Sequence, residues 1–89
     1  MDRHITIYIK SKCPFCIKAQ QELVRRKINH TTFIMDDDAD LLTEAKEKWG
    51  HPTVPIVLEH TMAGQGPARL IGGWTDLQEL LASEESTSV

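Results

Sequence analysis

Two cysteines, separated by two residues and placed directly after a short apolar run, constrain this chain more than any other feature. The run Ile5 to Ile9 alternates isoleucine with threonine and tyrosine, a pattern typical of a β-strand. Cys13 and Cys16 follow it, and a stretch with helical periodicity begins at Pro14 and reaches about Lys27. A strand that leads into a helix whose first turn carries Cys-x-x-Cys is the context in which two thiols carry out redox chemistry.

The position of each cysteine predicts a different role. Cys13 lies at the helix start, where unpaired backbone N–H groups and the helix dipole favour a thiolate, and Lys10 and Lys12 add positive charge. Pro14 suits the first helical position because its ring presets φ and it has no N–H to leave unpaired. Cys16 lies one turn further on, within disulfide reach. We therefore expect Cys13 to be the nucleophile, and Cys16, more buried and with the higher pKa, to be the resolving thiol.

Cysteine pairs at this spacing also form half of many zinc and iron–sulfur sites. A closed site needs four ligands, whereas the chain has two cysteines and its four histidines show no ligand spacing. The acidic run from Asp36 to Asp40 lacks the glycine of a calcium-binding EF-hand loop, so we expect it to be a solvated segment before a helix. No metal site is expected, and a pair of buried structural cysteines is the other alternative.

Length and charge limit the classes of protein to consider. Eighty-nine residues suffice for one domain, and 40% hydrophobic with 26% charged residues is typical of a soluble globular protein. A net charge of −3 argues against a surface that binds nucleic acid or anionic membranes. No apolar run approaches the roughly 18 residues of a spanning helix, and the first residues do not resemble a signal peptide. We expect a cytoplasmic protein, in which a cysteine pair is more often catalytic than structural.

The remaining sequence predicts three more strands and two more helices. In order, they are a strand at 31–35, a helix at about 41–49, strands at 56–58 and 69–71 joined by a turn at 64–67, and a last helix from 75. The order β-α-β-α-β-β-α predicts an α/β fold with a four-stranded mixed sheet and three helices on its two faces. Residues 1–82 are expected to form the single domain, and residues 83–89 a flexible C-terminal tail.

Local patterns add detail to this outline. The first helix is expected to turn four apolar residues toward the sheet: Ile17, Ala19, Leu23 and Val24. Pro55 cannot donate to a sheet ladder, so it is expected to begin a strand and is a candidate cis proline. Thr75 and Gln78 have the spacing of a capping box at the start of the last helix. Trp49 is expected to cover the core.

Three motifs occur in a diagnostic order: Lys10-x-x-Cys13-Pro14-Phe15-Cys16, Thr53-Val54-Pro55 and Gly72-Gly73-Trp74-Thr75-Asp76. Each is weak alone, but together at these spacings they are specific. On these motifs, the chain from Ile5 to about Ala82 resembles the glutaredoxins of the thioredoxin superfamily. The resemblance implies a thioredoxin-like fold and a dithiol enzyme that exchanges disulfides with glutathione as co-substrate and without a metal.

The resemblance also implies a glutathione site, made of Lys10, Phe15, Thr53, Val54, Pro55, Gly73, Thr75 and Asp76. Lys10 would pair with a carboxylate of glutathione, and Val54 would offer its backbone N–H and C=O to the glutathione cysteine. Backbone N–H groups at Thr75 and Asp76 would meet the γ-glutamyl carboxylate, and the Asp76 side chain its ammonium. Helix capping is the simpler role for these two residues, and both roles are compatible.

The implied partners are glutathione and proteins that carry disulfides or bound glutathione, and a monomer is expected. The chain departs from the family at Leu42, eleven residues before Thr53, where glutaredoxins commonly have Arg or Gln to hold the glycine carboxylate. This leaves open a related glutaredoxin-like electron donor to ribonucleotide reductase, which thioredoxin reductase would reduce. A non-enzymatic binding module and a dimer that carries an iron–sulfur cluster are further alternatives.

Overall fold

A computed structural model, which describes residues 3–61 and 67–87, confirms the predicted order of elements. These are β1 (Arg3–Ile9), α1 (Pro14–Arg25), β2 (His30–Ile34), α2 (Ala39–Trp49), β3 (Ile56–Thr61), β4 (Ala68–Gly72) and α3 (Trp74–Thr87). The sheet has the strand order β2-β1-β3-β4. β1 pairs with β2 in parallel and with β3 antiparallel, and β3 pairs with β4 antiparallel. The expected turn at 64–67 lies mostly outside the described residues.

The alternation of side chains along β1 and β3 divides the core into two clusters. One cluster joins the sheet to α1 and α3 and contains Ile5, Ile7, Ile9, Cys16, Ala19, Leu23, Val57, Leu77 and Leu81. The other joins the sheet to α2 and contains Met35, Leu42, Ala45, Ile56 and Leu58, with Trp49 packed against it as expected. Because neighbouring strand residues point to opposite faces, Val57 lies in the first cluster and Ile56 and Leu58 in the second.

The prediction for the buried face of α1 is partly wrong. Ala19 and Leu23 are buried as expected, but Ile17 is 42% exposed and Val24 is 62% exposed. The inward positions are Cys16, Ala19 and Leu23, which lie on one stripe at helical spacing. Each residue adds about 100° of rotation, so Ile17 and Val24 turn away from that stripe toward solvent.

Two predicted boundaries also differ. β2 begins and ends one residue earlier than predicted, and Met35 is instead a buried residue whose N–H donates to the Ile9 carbonyl at 2.8 Å. α3 continues to Thr87, past the expected end of the domain at residue 82. None of the helices in the described part of the chain has the length and apolar character that spanning a membrane requires.

Candidate functional site

The loop between β1 and α1 places Cys13 at the start of the helix. Cys13 is the N-cap of α1, and Pro14 occupies the first turn. The Cys16 N–H lies 3.4 Å from the Cys13 sulfur, which accepts it as a capping side chain does. The Cys13 thiol lies 3.9 Å from the Val54 carbonyl, to which it donates. One backbone donor of the first helical turn is therefore directed at the sulfur that the sequence predicts to be the nucleophile.

Cys16 has the environment of a resolving thiol. Its side chain is fully buried in the cluster between the sheet, α1 and α3. Burial, followed by the hydrogen bond with Cys13, raises the pKa of the Cys16 thiol from 9.0 to about 12. Both cysteines are free thiols. The expected deeper burial of Cys16 is confirmed, and its raised pKa keeps the thiol protonated at neutral pH.

We expect alkylation of Cys16 in a Cys13→Ser variant to show this protonation directly. Only the thiolate reacts, and burial, the largest cause of the raised pKa, remains in this variant, whereas the contributions of Cys13 are removed. Iodoacetamide at about pH 8 should therefore modify folded Cys16 at least about 100-fold more slowly than the urea-unfolded chain. Above about pH 10 the alkylation rate of the unfolded chain should no longer increase, whereas that of the folded variant should still rise. The raised pKa also links folding to pH. The contribution of Cys16 to the free energy of unfolding is complete below pH 9 and is lost as the pH rises toward 12. If the alkylation rate of the folded variant already reached a plateau near pH 9, the raised pKa of Cys16 would be wrong.

An open cavity of about 260 Å³ lies beside the cysteine loop and collects residues from three segments. Seven of the eight predicted binding residues line it: Phe15 from α1, residues 53–55, and Gly73, Thr75 and Asp76 at the start of α3. The Val54–Pro55 peptide bond is cis, as the position of Pro55 predicted. The roles of these residues toward a ligand stay predictions, but their convergence makes one continuous site.

Lys10, the eighth predicted binding residue, does not line this cavity. It is exposed, and its carbonyl accepts the Cys13 N–H at 3.3 Å. Hydrogen bonds from Ser11 are the main cause of a lowered pKa at the Asp36 carboxyl, and the nearby charges of Lys10 and Lys12 lower it further. Asp36 therefore balances part of the positive charge that was expected to act on Cys13.

Asp36 also holds the cysteine loop in place, which the sequence did not predict. The Ser11 N–H donates to Asp36 Oδ1 at 2.9 Å, and the Ser11 hydroxyl donates to Asp36 Oδ2. Asp36 follows β2, so this pair of hydrogen bonds ties the loop before α1 to the loop before α2. A residue of the acidic run thus has a structural contact as well as a solvated face.

The start of α3 differs in detail from the predicted capping box. The helix begins at Trp74 rather than after Thr75, and the Gly73 N–H donates to Asp76 Oδ2 at 3.0 Å. A Cβ on Gly72, whose φ is +130°, would lie 2.2 Å from Asp76 Oδ2, so only glycine fits there. Asp76 thus caps the helix through its side chain, and its carboxylate keeps lone pairs for a ligand donor.

Leu42 does not reach the cavity at all. It is 3% exposed and packs in the cluster between the sheet and α2. Two other residues line the cavity without having been predicted, His51 and Trp74. Trp74 could have been found, because it lies inside the third motif, whereas His51 is a single histidine in a loop with no spacing signal. Within residues 3–61 and 67–87, no three His, Cys, Asp or Glu side chains meet as a metal site would require.

Comparison with known proteins identifies what this arrangement is similar to. The glutaredoxin family model matches residues 5–60. A curated glutaredoxin from Pseudomonas aeruginosa is 35% identical over 53 residues, which are 60% of this chain. The matched region is 63% of that relative, so the chain spans less than two thirds of its length.

Solved structures show the same architecture. Wheat glutaredoxin superimposes with a TM-score of 0.69 at 26% identity, covering 88% of this chain and 70% of the wheat protein. The holo form of glutaredoxin C1 from Populus tremula × tremuloides gives a TM-score of 0.70 at 24% identity, covering 94% and 79% of the two chains. These superpositions confirm the expected thioredoxin-like fold.

Proposed function

This chain belongs to the glutaredoxin family, and on that premise we propose that it is a thiol–disulfide oxidoreductase that reduces protein disulfides and protein–glutathione mixed disulfides with glutathione. The observation that carries the proposal is the position of the Cys13 sulfur. It caps α1, has the buried Cys16 one turn behind it, and lies against Val54 at the edge of an open cavity.

The exchange begins when the Cys13 thiolate attacks one sulfur of the substrate disulfide. A bond forms between Cys13 and that sulfur, the substrate disulfide breaks, and the other sulfur leaves as a thiolate that takes up a proton. Cys16 then loses its proton and attacks the Cys13 sulfur, which closes the Cys13–Cys16 disulfide and releases the second thiol. Two electrons have passed from the dithiol to the substrate. Two glutathione molecules restore the dithiol and leave as glutathione disulfide.

The environment of Cys16 supports this order of events. Burial is the main cause of its raised pKa, but a hydrogen bond and charge repulsion from Cys13 also contribute. Once the Cys13 sulfur is bound in a mixed disulfide, it carries no charge and that repulsion ends. Ionisation of Cys16 therefore becomes easier at the step where it must attack, and it stays unfavourable before substrate binds.

The cavity supports glutathione as the co-substrate. The Val54 backbone lies beside Cys13, where it can pair with the backbone of the glutathione cysteine. The start of α3, at Thr75 and Asp76, can receive the γ-glutamyl end. At the glycine end, Leu42 is in the core and Lys10 lies outside the cavity, so recognition concentrates on the γ-glutamyl half.

The choice of reductant tests the proposal. We expect the protein to turn over with glutathione, glutathione reductase and NADPH, and to give little or no rate with thioredoxin reductase and NADPH alone. NADPH consumption at 340 nm, with one protein disulfide as substrate in both systems, measures the two rates. A rate found only with thioredoxin reductase would favour the ribonucleotide reductase donor, the candidate that the apolar Leu42 supports.

A further inference from the structure

His51 lines the cavity and lies in the segment that directly follows α2. Gly50 ends α2 with a left-handed φ of +62°, and the His51 N–H then donates to the Lys46 carbonyl at 3.0 Å. This turn brings the His51 side chain to the same cavity as Thr53 and Gly73. The residue has no part in the exchange chemistry of the two cysteines, so its presence in the wall needs a separate explanation.

The two ring nitrogens of His51 have different surroundings. Nδ1 is buried, and no group among the described residues forms a hydrogen bond with it. The edge of the ring that carries Nε2 and Cε1 faces Gly73, since a Cβ built on that glycine would lie 3.4 Å from Nε2 and 3.6 Å from Cε1. A side chain at position 73 would therefore contact the Nε2 edge of the ring, and glycine leaves that space without a side chain.

This asymmetry favours one tautomer of the neutral ring. A neutral imidazole carries one N–H donor and one acceptor nitrogen. Buried N–H groups without a partner are rarer in proteins than buried acceptors without one. The proton is therefore better placed on Nε2, with the acceptor lone pair on the buried Nδ1. The His51 ring therefore presents an N–H donor at the wall of the cavity. This donor is separate from the backbone N–H groups at the start of α3.

The groups around this donor define what it would bind. Gly73 lies directly before α3, and Thr75 and Asp76 lie in the first turn of that helix. The start of a helix favours a carboxylate, and the Asp76 side chain favours a cation. A ligand group that carries a carboxylate and an ammonium on one carbon, as the γ-glutamyl group does, matches the helix start, Asp76 and the His51 donor together.

We propose that His51 is a specificity-determining residue of this site, whose Nε2–H donates to an oxygen of the γ-glutamyl group and selects γ-glutamyl thiols over other thiols. The inference deepens the proposed function and rests on it. It is based on the position of His51 in the cavity wall, on the Nε2 edge that faces Gly73, and on the buried Nδ1, which has no hydrogen-bond partner among the described residues.

The test uses one peptide in three mixed disulfides, with glutathione, with γ-glutamylcysteine and with cysteinylglycine. Only the first two contain the γ-glutamyl group, and only the first and third contain the glycine. Initial rates of peptide release, with the wild-type protein and excess dithiothreitol as the common reductant, give kcat and KM for each. We expect the wild type to prefer the two γ-glutamyl substrates.

The His51→Ala variant should lose that preference by roughly tenfold, because one hydrogen bond to a charged group is removed. The loss should appear in KM for the two γ-glutamyl substrates and should exceed any change in kcat/KM for the cysteinylglycine substrate by that factor. Two further variants separate the ring nitrogens. His51→Gln carries an amide at the distance of Nε2 and should retain most of the preference, whereas His51→Asn carries it at the distance of Nδ1 and should behave like His51→Ala.

The outcomes exclude one another. An equal loss on all three substrates would mean that His51 only supports the fold of the site, and a loss on the glutathione and cysteinylglycine substrates that spares γ-glutamylcysteine would place His51 at the glycine end. Either result would overturn the inference while leaving the proposed function intact. A wild-type protein that does not prefer γ-glutamyl substrates would instead contradict glutathione as co-substrate, and the inference with it.

Discussion

Cys13→Ser should reduce the turnover of a glutathionylated peptide by at least about 1,000-fold, since a serine hydroxyl is hardly ionised at neutral pH and forms no disulfide. The Cys13 position offers a capped helix start, an adjacent cavity and partial exposure, and the buried Cys16 cannot substitute for it. The measurement is the rate of glutathione release at fixed glutathione concentration, followed through glutathione reductase. Turnover within about tenfold of wild type would make the nucleophile assignment wrong.

Cys16→Ser is the matched control for this experiment. It also removes one thiol, but the attacking sulfur stays in place, and free glutathione can resolve the mixed disulfide with Cys13. We expect it to keep reduction of the glutathionylated peptide and to lose most reduction of a protein disulfide. Equal losses on both substrates would contradict the division of roles between the two cysteines.

Leu23→Ala should destabilise the protein by about 2–5 kcal/mol, the usual cost of removing a fully buried leucine side chain. Leu23 is 0% exposed and packs between α1, α3 and the sheet. A domain of this kind has only roughly 5–15 kcal/mol of stability in total, so the variant should unfold at a much lower urea concentration. Urea titration followed by far-ultraviolet circular dichroism measures the change in the free energy of unfolding.

Val24→Ala provides the comparison on the neighbouring residue of the same helix. Val24 is 62% exposed, so its replacement should change the free energy of unfolding by no more than about 0.5 kcal/mol. Helical periodicity in the sequence predicted that both residues face the sheet, whereas the structure separates them. A similar loss in both variants would mean that α1 buries Val24 and that the orientation described above is wrong.

The order of elements could be read from the sequence because each one carries a local signal. The alternation in β1, the helical stripe of α2 and the proline before β3 are patterns over a few neighbouring residues. The exact limits of β2 and α3 depend instead on partners far along the chain. Met35 is held by the Ile9 carbonyl, and the start of α3 by the Gly73 bond to Asp76, and neither contact follows from local propensity.

Residues of the candidate site that lie in a short sequence motif could be predicted. Those that only the three-dimensional structure brings to the cavity could not. Phe15, Thr53 and Asp76 were found because they lie in short motifs, and the structure brings all three to one cavity. Lys10 also lies in a motif, but it does not line this cavity. His51 has no motif and became visible only through the distance from its ring to Gly73.

The sequence by itself determined where the two thiols lie relative to each other and to the first helix. Their spacing, the proline between them and the preceding strand place one at a helix start and the other a turn away, and these relations follow from the geometry of a single helix. Tertiary structure alone decided the surroundings: the burial that raises the Cys16 pKa, the bond from Ser11 to Asp36, and the meeting of His51 with Gly73. The reason is physical, since these contacts join residues far apart in the chain, and their distances depend on how the whole sheet and its helices pack.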